Sequence, residues 1–259
     1  MKRLFLFAAL MFAAVATSCD PNNSNNEEFD DGSVKMHIVS EDYLIFNYLG
    51  GEHSSYYTIK NIPQDSVIVA QAPDKWVNSF VTKNVGEVRY VIDPNDSGVE
   101  RETTLTVSCK DAFVDYTIKQ QAADVTCKAS YALCNYYGVL NSDNANFQLT
   151  ISLHNPNNVN GGNIVYSLDL YRKGVLQPGD PMAIPLGNYV LDPINNGEND
   201  VIYKKGSACT MIDGTNLTFA VATLRVEKNR LVFYGKTTDE RWHLATFYGD
   251  YEFVDMAHQ

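Results

Sequence analysis

The sequence predicts an all-β protein, with an N-terminal immunoglobulin-like β-sandwich followed by a second antiparallel β-sandwich or barrel domain. Three observations carry this. Short runs of alternating apolar and polar residues dominate, separated by clusters of Gly, Asn, Asp and Pro. No window shows the 3.6-residue apolar period of an amphipathic helix. Sixteen tyrosines and two tryptophans are generous for 259 residues, and such rings suit half-buried strands.

The first domain is placed at 34–122. "YLIFNYLGGEHSSYYTIKNI" (43–62) reads as strand, Gly50-Gly51 turn, strand. In "TTLTVS", Leu105 and Val107 face one way while Thr104, Thr106 and Ser108 face the other. The polar turn "CKDA" leads into "YTIKQQ" and closes a hairpin. The second domain is placed at 124–259. "NFQLTISLHN" puts Phe147, Leu149, Ile151 and Leu153 on one face. "NIVYSLDLYRKG", "MAIPLGNYVLDP", "NLTFAVATLRVEKNRLVFYGK" and "RWHLATFYGDYEF" supply further strands, with "EKNR" as a tight hairpin turn.

The N-terminus carries a different signal. Lys2 and Arg3 precede an apolar run over 4–16, and Ala16, Thr17 and Ser18 lead to Cys19. A basic start, a short apolar core and small residues before a cleavage point predict a signal peptide over 1–18. The run is too short to span a hydrocarbon core of about 30 Å comfortably. The small-small-Cys ending resembles the lipobox of bacterial lipoproteins, which implies lipidation of Cys19 and an outer-membrane anchor. Residues 20–33, "DPNNSNNEEFDDGS", hold one aromatic and no aliphatic residue, so 19–33 read as a lipidated acidic tether. An acidic run directly after the cysteine also resembles the surface-export signals of Bacteroidetes lipoproteins, which implies display on the cell surface rather than the periplasmic face.

Within 34–122, "LIFNYLGG", "YYTIKN", Trp76 in "DKWV", "VRYVIDPNDSGVERETTLTVS" and the closing "YTIKQQAA" occur in order. These resemble the BACON domain (Bacteroidetes-associated carbohydrate-binding often N-terminal). The resemblance implies an immunoglobulin-like sandwich in polysaccharide-handling proteins, with Trp76 as core packing. The second domain, through "IPLGNYVL", "VATLRV" and "FYGDYEF", is similar to a C-terminal domain of other Bacteroidetes lipoproteins of unassigned function.

Composition narrows the function. Twenty basic against 31 acidic residues give a net charge of −11, which repels nucleic acid and anionic lipid. Beyond Cys19, the cysteines Cys109, Cys127, Cys134 and Cys209 are even in number, so disulfides are permitted and three pairings stay open. No Cys-x-x-Cys, His-x-x-x-His or Gly-x-Ser-x-Gly spacing occurs, so neither a metal, a cofactor nor a serine nucleophile is expected. "DPNDSGVERETT" begins like a calcium loop at Asp93, Asn95 and Ser97, but Thr104 stands where the closing acid belongs, so a turn is expected. Asp250 and Glu252, read as two residues apart on one strand face, are the least implausible carboxylate pair, short of the positioned constellation that catalysis needs.

Aromatic residues remain. The triplets at "NYYGV", "VFYGK" and "TFYGD" predict either glycine bulges or tyrosines on a common rim. Tyr136, Tyr137, Trp242, Tyr248 and Tyr251 flank glycines in the first and last strands of the second domain, so they are the candidate carbohydrate-binding residues, with Trp242 as main platform. Rings stack on neutral sugars without needing charge, so a neutral polysaccharide or oligosaccharide is the expected partner. The expectation is a non-enzymatic cell-envelope lipoprotein that binds or presents glycans. The alternative is a structural or adhesion lipoprotein whose domains act as spacer and docking surface for envelope proteins.

Overall fold

The computed structural model describes residues 31–82, 86–141, 144–158, 162–174, 176, 180, 182–192 and 200–258. The predicted signal peptide, Cys19 and all but the last three tether residues lie outside them. Strands dominate, and a 3-10 turn at Pro156–Asn158 is the one helical element among the described residues. No helix there is long and apolar enough to cross a membrane.

Eight strands build the first sandwich: β1 (Lys35–Ile38), β2 (Tyr43–Phe46), β3 (Gly51–Lys60) and β4 (Val69–Gln71) come first. They are followed by β5 (Val77–Val81), β6 (Glu87–Ile92), β7 (Arg101–Cys109) and β8 (Ala112–Gln120). One sheet has the order β1-β3-β6-β5 and the other β2-β8-β7-β4. The core takes Met36, Tyr57, Val88 and Tyr90 from the first sheet and Leu105, Val107, Tyr116 and Ile118 from the second. Leu105 and Val107 are fully buried, as the alternation of "TTLTVS" predicts. The β7–β8 hairpin closes in register from Arg101 opposite Gln120 to Cys109 opposite Ala112.

The Gly50-Gly51 turn has a particular task. β2 and β3 are neighbours in sequence but lie in opposite sheets, so the chain must cross the sandwich edge between them. Gly50 has φ +64°, and a Cβ there would sit 2.1 Å from the Ile92 carbonyl oxygen. Only glycine fits such an approach in that conformation. Trp76 packs against this core but is not enclosed by it: the Arg101 guanidinium covers its ring at 4.4 Å from the centroid. Trp76→Ala therefore costs about 2 kcal/mol rather than the 3–5 of a fully buried ring, measured as a shift in urea midpoint.

The second domain begins after residues 121–124. Its first strands are β9 (Val125–Ala129), β10 (Tyr131–Asn141), β11 (Asn144–Ser152), β12 (Val165–Lys173) and β13 (Gly187–Asp192). Then come β14 (Val201–Thr210), β15 (Asn216–Leu217), β16 (Phe219–Glu227), β17 (Arg230–Thr237), β18 (Trp242–Tyr248) and β19 (Glu252–Asp255). All eleven form one sheet, ordered β19-β10-β11-β12-β14-β13-β16-β17-β18-β9, with β15 beside β14. Most pairs are antiparallel; β9 with β18, β10 with β19 and β13 with β14 are parallel. Cys127 at one end of that order shares a single core with Tyr136, Phe147, Tyr166, Tyr189 and Phe233. A sheet whose distant strands meet in one core is folded over on itself, which is the sandwich-or-barrel solution for a one-faced sheet. "EKNR" is the β16–β17 turn, with Glu227 opposite Arg230.

The four described cysteines are buried and unbridged. Burial pushes the Cys127 and Cys209 thiols up to about 12, so both stay protonated and unreactive near neutral pH.

Candidate functional site

The most elaborate side-chain arrangement lies where the first domain meets the second. It begins at Arg101, whose Nε donates to Gln120 Oε1 at 2.9 Å and whose second nitrogen donates to the carbonyls of Asp93 (2.8 Å) and Pro94 (3.2 Å). Gln120 in turn donates to the carbonyls of Asn47 (3.2 Å) and Asp93 (3.1 Å). Asn95, wholly buried, donates to the carbonyls of Val99 and Gln121 and accepts from the Ser97 hydroxyl. The "DPNDSGVER" stretch is thus a turn held by its own side chains, as its Asn, Ser and Gly predict, with Gly98 at φ +79°.

That turn docks on the outer face of β17 and β18. Along β18, His243, Ala245 and Phe247 are buried, while Trp242, Leu244, Thr246 and Tyr248 alternate onto the other face. Thr246 donates to Asp96 at 2.9 Å, and Arg230 of β17 lies 3.7 Å from Asp93. Between these polar contacts Ala123, Val232 and Leu244 form a small buried cluster, against which Tyr48, Leu49 and Tyr234 pack. Tyr48 meets Trp242 with ring centroids 6.2 Å apart, and the Trp242 backbone N–H donates to Asp124 at 2.7 Å. Burial and then the Asp124 charge push the Tyr48 hydroxyl up to about 12. An apolar centre inside a polar rim is the anatomy of a specific interface.

These positions change the reading of the candidate sugar residues. Tyr136 is fully buried, its ring 5.1 Å from Phe147 and its hydroxyl accepting the Leu176 N–H, so it cannot stack on a ligand. Tyr251 packs on the same core and accepts the Ile184 N–H at 2.7 Å. Tyr137 points to the opposite face of β10, 3.4 Å from Gln148. Trp242 is half-buried at the joint, and Tyr248, 48% exposed, lies beside Arg230 and Asp96. The first and last strands do adjoin, through β9–β18 and β10–β19. Tyr136 and Tyr251 nevertheless pack into the core, Tyr137 lies on the opposite face of β10, and Trp242 and Tyr248 lie on the β18 face that meets the first domain. They form no common platform. Of the three glycine triplets, one follows the bulge reading: Gly138 has φ +71° at a register shift. Gly235 sits in an unbroken ladder opposite Ala222 and His243, where a Cβ would be 2.7 Å from the Val221 carbonyl oxygen, and Gly249 lies after the end of β18.

Asp250 and Glu252 do not share a strand, since Asp250 lies in the turn after β18 and Glu252 opens β19. Asp169 is the acid that sequence reasoning missed. Burial raises its pKa, and Asn146 donates to it at 2.7 Å. Its sequence signal was an acid inside the alternating run "YSLDLY". Among the described residues no group of three or more His, Cys, Asp or Glu could hold a metal.

A second buried network runs through His243, which is fully buried. Nδ1 lies 3.1 Å from the Tyr166 hydroxyl and Nε2 lies 3.2 Å from Thr237 Oγ1, which in turn donates to Asp239. Burial first, and then the Arg241 charge, lowers its pKa to about 4.

No protein-family model matches the chain, and no curated protein does. Among solved structures it is similar to a Bacteroides ovatus GH5 xyloglucanase in complex with a XXXG heptasaccharide, at 22% identity over 37% of this chain, TM-score 0.29. The matched region spans 21% of that enzyme's length. It is also similar to the titin Ig tandem domains A164-A165, at 10% identity over 86% of this chain and 99% of that one, TM-score 0.27. A third likeness is to the Yersinia pseudotuberculosis adhesin InvE, at 7% identity over 84% and 58%, TM-score 0.23.

Proposed function

We propose that the chain is a non-enzymatic cell-envelope lipoprotein, anchored in the outer membrane through Cys19 and displayed at the cell surface, that binds or presents glycans. The joint supports this reading best. Contacts at Asp93, Asp96, Arg230 and Thr246, with an apolar centre between them, hold the two β domains in one orientation. Presentation at a distance from a membrane needs such a stiff body, and the run over 19–33, read from the sequence as an acidic tether, is the segment proposed to give it reach. The resemblance of 34–122 to the BACON domain supports a role in polysaccharide handling. A second reading, a spacer whose surfaces dock other envelope proteins, gains from one observation: Trp242, the expected sugar platform, is half-buried against Tyr48.

The anchor is tested by Cys19→Ala, which releases the chain from membranes or stalls its processing. A Cys19→Ala chain that fractionates with membranes and is cleaved normally removes the lipoprotein reading. Protease added to intact cells degrades a surface-displayed chain and spares a periplasmic one. Binding to neutral polysaccharide, measured by retention in affinity electrophoresis, separates the glycan reading from the spacer reading.

A further inference from the structure

The outer face of the β3-β6-β5 layer carries an open groove of ≈ 570 Å³, none of whose lining residues is a candidate sugar residue from the sequence. Its floor is built from residues that alternate with the core. β3 contributes Glu52 and Ser54 while Ser55 and Tyr57 face inward, and β6 contributes Glu87, Arg89 and Val91 while Val88 and Tyr90 face inward. β5 raises one wall. Its register against β6 shifts between Asn78 and Val81, and Ser79 there has φ +55°.

The polar groups in this groove are fixed in place. Arg89 donates through Nε to Glu87 Oε1 at 3.0 Å and through a terminal nitrogen to Oε2 at 3.3 Å, and Ser54 donates to the same carboxylate at 3.0 Å. The Glu87 side chain is only 16% exposed, whereas that of Arg89 is 61% exposed. A held carboxylate thus orients the exposed guanidinium of Arg89, which lines the groove. Tyr56 stands opposite Glu87 in the β3–β6 register and is 49% exposed. Val81 and Val91 add apolar surface.

We infer that this groove binds a neutral oligosaccharide, with Tyr56, which flanks the groove beside Glu87, as stacking ring and Arg89, Glu52 and Ser54 as hydroxyl partners; the inference rests on the glycan reading above. The chemistry selects this ligand class. Donors and acceptors alternate over a shallow open floor, which suits a chain of hydroxyls rather than an enclosed apolar molecule. Glu52, Glu87 and Arg89 together leave one negative charge, which disfavours uronic acids and sulfated sugars. A peptide added as an extra strand is the competing occupant, but the bulge in β5 breaks the regular ladder that such pairing needs.

The test uses the full mature chain in calorimetry against cellohexaose, xylohexaose and mannohexaose, with oligogalacturonate as anionic control. At least one neutral hexasaccharide binds, with Kd on the order of 10–100 μM. Tyr56→Ala and Arg89→Ala each weaken it about tenfold or more without moving the melting temperature. Phe113→Ala, on the outer face of the opposite sheet, leaves it unchanged. Unchanged affinity in both Tyr56→Ala and Arg89→Ala overturns this site while leaving the glycan reading standing. Preference for oligogalacturonate overturns the neutral class. No binding of any glycan at millimolar concentration overturns both the groove and the glycan reading.

Discussion

Replacing Arg101 with alanine lowers the stability of the chain by about 3 kcal/mol, and Arg101→Lys does not restore it. The side chain makes three hydrogen bonds, to Gln120, Asp93 and Pro94, from a half-buried position over Trp76. Hydrogen bonds from a charged donor each contribute about 1.5–3 kcal/mol, and exposure of part of the group discounts the sum. Removing the guanidinium also leaves Gln120 Oε1 without this donor inside the sandwich end. A lysine carries the charge but not the planar fork, so it cannot serve the Nε and terminal-nitrogen acceptors together. For a body of this size the expected shift in melting temperature is about 6–12 °C. Arg101 also sets the backbone of the turn that meets β17 and β18, so Arg101→Ala exposes residues 94–99 to proteolysis before the sandwich itself unfolds. A shift under 2 °C, or full rescue by lysine, removes the hub role.

Arg101 also shows what the sequence could and could not disclose. Local alternation is a property of neighbouring residues, so the faces of "TTLTVS" and "NFQLTISLHN" and the turn at "EKNR" were legible directly. The Asn95, Ser97 and Gly98 turn was legible for the same reason. Partner choice was not, because it depends on contacts far apart in the chain. β2 and β3 are adjacent in sequence yet lie in opposite sheets, and β9 pairs in parallel with β18 across more than a hundred residues. The candidate site failed on a narrower point. "WHLATFY" is almost continuously apolar because β18 is covered on both faces, by the core on one side and by the joint on the other. Such a run hides which face is free, so Trp242 looked available when it was already in use. Tyr136 and Tyr137 illustrate the remedy. Cys134 and Tyr136 share one face of β10 and both are buried, so the period of two assigns Tyr136 inward and Tyr137 outward. The groove at Arg89 left no sequence signal at all, since Glu-Val-Arg reads as an ordinary solvated strand face.

Acidification from pH 6.5 to pH 4 lowers stability by about 2–3 kcal/mol, and most of that slope disappears in His243→Gln. The direction follows from the network. Thr237 has one hydroxyl proton and gives it to Asp239, so its oxygen accepts from His243 Nε2–H. The other ring nitrogen, Nδ1, then accepts from the Tyr166 hydroxyl. Every member of this chain is satisfied with the imidazole neutral. A proton on Nδ1 would take the Tyr166 oxygen as its acceptor and deprive the phenol proton of its own, in a site with no water-accessible surface, and Arg241 adds repulsion. The folded pKa is therefore held at about 4 against 6.5 for a free histidine. Above 6.5 neither state is protonated and the penalty is absent. Between 6.5 and 4 the unfolded chain takes up a proton that the folded chain refuses, so stability falls as pH falls. Below 4 both states bind the proton and the slope passes to carboxylates such as Asp239, whose pKa Thr237 and Arg241 hold down at about 2. His53, also lowered by burial, adds a smaller slope of the same sign that persists in the variant. Glutamine supplies one donor and one acceptor without a titrating group, so it costs stability at pH 7.5 but flattens the profile. Urea midpoints across this range decide the matter: equal slopes in wild type and His243→Gln would mean that His243 titrates normally and that the Tyr166–His243–Thr237 chain is open to water.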